Sequence, residues 1–152
     1  MTLATKAARG AGAPPGQAAD FGRAAVQYLM ERKPESALIA ALEALPAGPI
    51  TAVPVALARR VEDPDMGVAL SDPLGLLLSY VAAHPLLEGH KGDDGAVTVD
   101  LRTEPKTVRP VARVEVSQGL VDHLQSLAAK TFVPESAASR AAGAGSGLSD
   151  ND

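Results

Sequence analysis

The chain has 152 residues, a formal net charge of −4 at pH 7 and no cysteine. A chain of this length fits one domain that needs no disulfide or metal for stability, and without cysteine it has neither a thiolate nucleophile nor a Cys-ligated metal. Its basic residues are scattered singly through an acidic sequence, which argues against binding to nucleic acid.

The hydropathy pattern predicts a cytoplasmic protein. The first residues, Met1 to Lys6, lack the charged-then-apolar order of a secretory signal. The longest apolar run, residues 74–83, is far shorter than the roughly 20 residues of a membrane-spanning helix. We therefore expect no membrane partner for this chain.

Two helices are predicted at the start of the chain. Residues 2–9 contain good helix formers and are followed by Gly10 and Gly12, a pattern typical of a glycine cap at the end of a helix. Residues 15–32 carry apolar and small side chains three and four positions apart. Gly22 lies on that stripe, so we expect another helix to pack closely against it.

Prolines divide the middle of the chain into shorter elements. Pro34 suits a first helical turn, which predicts a helix over residues 35–45. Residues 50–53 are predicted to be extended, with Pro54 beginning a short helix. The apolar run over residues 74–83 is predicted to be a helix, and a buried strand is the alternative.

The second half of the chain contains the predicted strands. Apolar and polar residues alternate over residues 97–102 and again over residues 108–116. We expect these strands to pair in antiparallel fashion across a polar loop at residues 103–107, after another loop at residues 88–95. Ser117 is the predicted N-cap of a final helix that runs to Lys130.

This order of elements predicts an α+β fold in which helices are grouped on a small antiparallel sheet, and a mostly α fold is the alternative. Residues 1–136 are assigned to one globular domain. Residues 137–152 are rich in Gly, Ala and Ser. They are predicted to form a C-terminal tail that packs on the domain if it is ordered.

Two segments at the ends carry a resemblance. They are residues 6–12 with Gly16, Ala18 and residues 22–24, and residues 129–136 with Ser139, Arg140, Gly143, Gly145, Gly147 and residues 150–152. Both are similar to the ends of an uncharacterised bacterial family, domain of unknown function 3726. The resemblance covers about a third of the chain and implies no substrate, cofactor or catalytic residue, because no function is assigned to that family.

The glycines of the tail match no catalytic motif. Gly143, Gly145 and Gly147 have the wrong spacing for a dinucleotide-binding loop, and no strand is predicted before them. Ser146 lies between adjacent glycines and is not at the centre of a nucleophile elbow. Both motifs are therefore excluded.

An anion site formed by the two ends is the remaining hypothesis. Glycines allow backbone N–H groups to converge, and two arginines supply forked donors to a carboxylate or phosphate. The ligand-binding residues of this hypothesis are Arg9, Gly10, Gly12, Arg140, Gly143, Gly145 and Ser146. The alternative is that the glycines end a helix and that the tail is flexible.

Two functions follow from these observations. The first is a non-catalytic cytoplasmic protein that acts through protein–protein association or as a homo-oligomer, because no catalytic constellation is present. The second is a protein or enzyme that binds a small anionic ligand at the two ends. No cofactor is expected, and no metal site either, since His84, His90, Asp93 and Asp94 match no metal-binding spacing.

Overall fold

Helices dominate the structure, and one small antiparallel sheet accompanies them. The computed structural model describes residues 2–63, 72, 74–92, 97–107 and 113–131. The elements in chain order are α1 (Leu3–Gly10), α2 (Pro15–Met30), α3 (Glu35–Glu43), α4 (Pro49–Glu62), α5 (Leu77–Ala83), β1 (Leu87–Lys91), β2 (Val97–Leu101) and α6 (Gln118–Ala129). The predicted α+β class is confirmed, with 59% of the described residues in helices and 9% in strands.

Local signals determine both ends of α1, and the signal at the C-terminal end is the predicted one. Thr2 is the N-cap, and its hydroxyl accepts the backbone N–H of Thr5 at 3.2 Å. At the other end, the N–H of Gly12 bonds to the carbonyl of Arg9 at 3.0 Å, and the N–H of Ala13 bonds to the carbonyl of Ala8 at 2.9 Å. Gly12 has a φ of +103°, which glycine adopts without strain. The predicted glycine cap is confirmed.

Close packing of α1 depends on two glycines. A Cβ atom at Gly22 on α2 would lie 1.9 Å from the hydroxyl oxygen of Thr5. A Cβ atom at Gly10 would lie 1.8 Å from the carbonyl oxygen of Leu127 on α6. Helix α1 therefore packs against α2 on one side and α6 on the other, as predicted for the small-residue stripe of α2.

Helix α4 begins earlier than predicted. Residues 50–53 are helical and not extended, because α4 starts at Pro49 and contains Pro54 in its interior. Proline at the first helical position costs no hydrogen bond, since the first N–H groups of a helix have no partner within it. Ile50, Val53 and Leu57 then fall on one buried face. Burial of this helical face has a larger effect than the preference of β-branched residues for strands.

Helix α5 begins later than predicted, at Leu77. The carboxylate of Asp72 accepts the backbone N–H groups of Leu76 and Leu77, at 2.9 and 2.8 Å. These N–H groups have no partner inside the helix, so Asp72 caps it from four to five residues upstream. A helix is confirmed over the second part of the apolar run.

Strand β2 has a partner that the sequence analysis did not predict. Strand β2 lies where the alternation predicts it, but it pairs with β1, with Gly89 opposite Val99. Residues 88–91, which are predicted to lie in a loop, belong to β1, and only Leu87 of this strand is buried. Residues 113–117 lie in no strand, and residues 108–112 are outside the described residues.

Strand β1 is held against α5 by close approach at one glycine. A Cβ atom at Gly89 would lie 2.9 Å from Leu78 and 3.1 Å from Val81, both on α5. A side chain at this position would therefore separate the strand from the helix. Backbone pairing and this contact fix the strand, and neither produces an alternating pattern in the sequence.

One hydrophobic core joins all of these elements. It includes residues from every helix and both strands, among them Phe21, Leu38, Ile50, Leu77, Leu87, Val99 and Leu120. Helices α3 and α6 are confirmed, α6 with Ser117 as its N-cap, although α3 ends at Glu43, before the predicted residue 45. The predicted boundary of the domain at residue 136 lies outside the described residues.

Candidate functional site

The structure gives the N-terminal half of the predicted anion site a structural role. Gly10 is packed against the backbone of α6, and Gly12 forms the turn after α1. Arg9 is exposed in the last turn of α1, where a cation interacts favourably with the helix dipole. The other predicted residues, Arg140, Gly143, Gly145 and Ser146, lie outside the described residues, so their meeting with Arg9 stays a prediction.

A different part of the molecule has the features of a binding site. A cleft of about 380 Å³ opens between α2, α4 and the end of α5. This volume is at the small end of the range of roughly 300–1,000 Å³ found for ligand sites. The α2–α4–α5 cleft is lined by Asp20, Arg23, Pro54, Leu57, Ala58, Val61, Tyr80, Ala83, His84 and Pro85.

Helix α4 supplies the apolar wall of the cleft. Pro54, Leu57 and Val61 recur at three and four positions, so they lie along one side of the helix. Leu57 is buried in the core, whereas Val61 is 38% exposed. The apolar face of α4 is therefore wider than the part of it that contacts the core. The remaining apolar residues of this face line the cleft.

Tyr80 on α5 supplies a buried hydroxyl. The residue is only 4% exposed, and its hydroxyl has no hydrogen-bond partner among the residues that the structure describes. Burial, with a smaller contribution from the charge of Asp20, raises the pKa of Tyr80. The side chain therefore stays protonated, and its hydroxyl is a buried donor without a partner among the described residues, on a residue that lines the cleft.

His84 follows α5 directly and supplies a neutral imidazole. Its Nδ1 accepts the backbone N–H of Leu86 at 3.2 Å, which leaves the ring proton on Nε2. Burial is the main cause that lowers the pKa of His84; Lys106 and Arg23 also lower it, while Asp20 acts in the opposite direction. At neutral pH the ring is a donor and carries no charge.

A pair of opposite charges lies at the rim of the cleft. Asp20 and Arg23, one turn apart on α2, form an ion pair. Their side chains are 39% and 63% exposed. The rim therefore carries one carboxylate and one guanidinium, both within reach of solvent.

The position of His84 is fixed by a lysine from another part of the chain. The ammonium group of Lys106 donates to the carbonyls of Val81 and Leu87, at 2.9 and 2.6 Å. The backbone N–H of Lys106 bonds to the carbonyl of Pro85 at 2.9 Å. These bonds tie the residues after β2 to both ends of the turn that carries His84.

A second surface hollow is larger, but none of the buried polar atoms that lack a partner among the described residues lines it. It measures about 670 Å³ and lies beside Arg32, Lys33 and Arg113. Lys33 pairs with Glu31 at 2.6 Å, and the Glu35 carboxylate accepts the N–H of Ser117 at 2.8 Å. Because the unpartnered hydroxyl of Tyr80 belongs to the lining of the α2–α4–α5 cleft, we regard that cleft as the better candidate.

The described residues contain no group of three or more His, Asp or Glu side chains arranged to hold a metal ion. Of the residues considered for a metal, His84 lines the cleft and His90 lies on β1, while Asp93 and Asp94 are outside the described residues. No helix in the described parts of the chain is both long and apolar enough to cross a membrane.

The residues of the cleft were not identified from the sequence. Asp20 and Arg23 fall on the solvent-facing side of α2, which is where charged residues are expected. Tyr80 gave the one usable signal, because a hydroxyl inside an otherwise apolar run needs a partner. The sequence does not indicate where that partner is.

Comparisons with known proteins identify no relative. No family model, no curated protein and no solved structure matches the chain. The resemblance of the two ends to domain of unknown function 3726 stays a prediction.

Proposed function

We propose that this chain is a non-catalytic cytoplasmic protein that binds a small amphipathic molecule in the α2–α4–α5 cleft. The observation that carries the proposal is the buried hydroxyl of Tyr80, which lacks a partner among the described residues. Leaving a buried hydroxyl unpaired costs roughly 1–3 kcal/mol. A ligand that accepts this donor would remove that cost, while its apolar part would lie against Pro54, Leu57 and Val61.

Binding is favoured over catalysis by the state of His84. A general base needs a free nitrogen lone pair directed at the substrate. The lone pair of His84 at Nδ1 already accepts the N–H of Leu86, and the proton on Nε2 makes the other nitrogen a donor. The cytoplasmic location is supported only by the absence of cysteine.

The proposal is tested by blocking the cleft with one substitution. Ala58 lines the cleft and is exposed, so Ala58→Phe would fill the space without entering the core. Ala52→Phe is the matched control, since Ala52 is also exposed on α4 and does not line the cleft. Binding is measured by chemical-shift changes on titration with leucine, 4-methylpentanoate, 3-methylbutylamine and hexanol.

We expect at least one of these probes to bind the wild type and the Ala52→Phe variant but not the Ala58→Phe variant. Tyr80→Phe should lower the affinity for the same probe by about two- to tenfold, which corresponds to the loss of one hydrogen bond. If no probe binds in a manner that depends on Ala58, the cleft is not the site and the proposal is wrong.

Self-association, the function favoured by the sequence, has one observation in its support. Val55 is 41% exposed and Val61 is 38% exposed, both on α4. The small-residue faces at Gly10 and Gly22 do not add to it, because they are covered within the chain. Light scattering on the wild type and on Val55→Thr is the test: a dimer that dissociates in the variant would favour this second function.

A further inference from the structure

The charges around the α2–α4–α5 cleft limit what kind of ligand can bind there. Asp20 contributes one negative charge and Arg23 one positive charge at the rim. Tyr80 and His84 are held in their neutral forms by burial. The polar end of the cleft is therefore balanced in charge, although it contains two full charges.

A ligand with a single charge would be repelled by one of the two charged residues at the rim. A lone carboxylate would bond to Arg23 but would lie close to Asp20, and a lone ammonium group would bond to Asp20 but lie close to Arg23. Like charges brought together in this way are destabilising and weaken the binding of such ligands. A molecule that has both groups satisfies Asp20 and Arg23 at the same time.

The existing pair between Asp20 and Arg23 does not prevent such an exchange. Both side chains are substantially exposed, and ion pairs on the surface contribute little to stability because water solvates the separated charges almost as well. A ligand with two charges would replace one weak ion pair by two charge-assisted contacts at the rim of the cleft.

The donors on the residues that line the cleft favour one orientation of the ligand. The Tyr80 hydroxyl and the protonated His84 nitrogen are both donors, and each suits a carboxylate oxygen. Asp20 supplies the acceptor that an ammonium group requires. Pro54, Leu57 and Val61 form an apolar surface beside these groups.

From these groups we infer that the ligand of the cleft is an α-amino acid with an apolar side chain, bound as the zwitterion. Its carboxylate is bonded by Arg23 together with the donors of Tyr80 and His84, its ammonium group is bonded by Asp20, and its side chain lies against α4. The inference rests on the binding function proposed above and assigns the chemical class of the molecule bound.

Three probes of nearly the same shape test whether binding requires the carboxylate, the ammonium group or both. Leucine has both groups, 4-methylpentanoate lacks the ammonium group, and 3-methylbutylamine lacks the carboxylate. We expect leucine to bind the full chain at least about tenfold more tightly than either analogue, because each analogue leaves one rim charge without a partner. Isothermal titration of all three measures the difference.

Two substitutions at exposed positions then assign the groups. Asp20→Asn should lower the affinity for leucine by about fivefold or more. The affinity for 4-methylpentanoate should be unchanged or higher, since a repulsive charge is removed. Arg23→Gln should weaken leucine to a similar degree and leave 3-methylbutylamine unchanged or tighter. The thermal unfolding of each variant checks that the fold is retained.

The inference and the underlying function fail in different ways. If 4-methylpentanoate or the amine binds as tightly as leucine, and Ala58→Phe abolishes that binding, the cleft is a site but its ligand is not an amino acid. If no probe depends on Ala58, both the inference and the proposed function are wrong.

Discussion

Gly10 and Gly16 both lie on helices, but a methyl group at each would meet different surroundings. At Gly10 a Cβ atom would overlap the carbonyl oxygen of Leu127 at 1.8 Å, whereas at Gly16 it would meet no atom within 4 Å. A backbone oxygen cannot rotate away as a side chain can. Helices α1 and α6 would therefore have to separate to admit the methyl group at Gly10.

Gly10→Ala is expected to destabilise the protein by about 1–3 kcal/mol or more through overpacking. Gly16→Ala should be neutral or stabilising by up to about 1 kcal/mol, because alanine is the better helix former. Urea unfolding of both variants measures the difference. Equal midpoints for the two variants would contradict the close approach of α1 and α6.

His84 should make stability depend on pH in the weakly acidic range. Its pKa in the folded protein is lowered from 6.5, chiefly by burial, so the unfolded chain binds the proton more readily. The contribution of neutral His84 to the free energy of unfolding is therefore fully present above pH 6.5. It is lost as the pH falls through the lower pKa of the folded protein. Denaturant midpoints between pH 8 and pH 4 should decline less in His84→Gln than in the wild type, and parallel curves would exclude this role.

At the scale of single elements, two helix caps were predictable from the sequence, whereas the starts of α4 and α5 were not. The caps at Gly12 and Ser117 were predicted because their effect depends only on neighbouring backbone groups. Helix α4 was partly missed because Pro49 and Pro54 both suit a first turn. The choice between them depends on the burial of Ile50 and Val53, which is a property of the tertiary structure.

Ser117 connects two elements as well as capping one. Its hydroxyl accepts the N–H of Leu120 at 3.1 Å and donates to the carboxylate of Glu35, at the start of α3. Ser117→Ala should cost about 1–2 kcal/mol, the usual value for an N-cap. Ser126→Ala, on the exposed side of the same helix, is the matched control and should have almost no effect. Thermal unfolding that ranks the two variants equally would contradict the cap.

At the scale of the whole molecule, the sequence predicted the fold class but not the contacts between distant segments. The alternation in β2 indicates a strand, yet the partner is set by the fit of Gly89 against α5. The cleft brings together Asp20 on α2 and Tyr80 on α5, which are separated in the chain by the two helices α3 and α4. Each of these residues is ordinary in its own segment, so only their proximity marks the site.

Lys106 is the residue that connects the hairpin to α5. Lys106→Met would remove both bonds to the carbonyls of Val81 and Leu87 while retaining most of the aliphatic side chain. We expect a loss of about 1–3 kcal/mol in unfolding free energy, together with shifted NMR signals at His84. Lys91→Met, at an exposed position on β1, is the control. A variant at Lys106 that matches this control would show that the lysine does not hold the turn.

The packing of α1 against α6 has a consequence for synthesis on the ribosome. Helix α1 emerges early, but the helix that covers Gly10 is translated more than a hundred residues later. Until then the nascent chain has one side of its first helix uncovered, and only α2 is in place to shield the other side. A ribosome-bound chain stalled before Gln118 should therefore be more accessible to proteases and chaperones at α1 than one stalled after α6 has emerged.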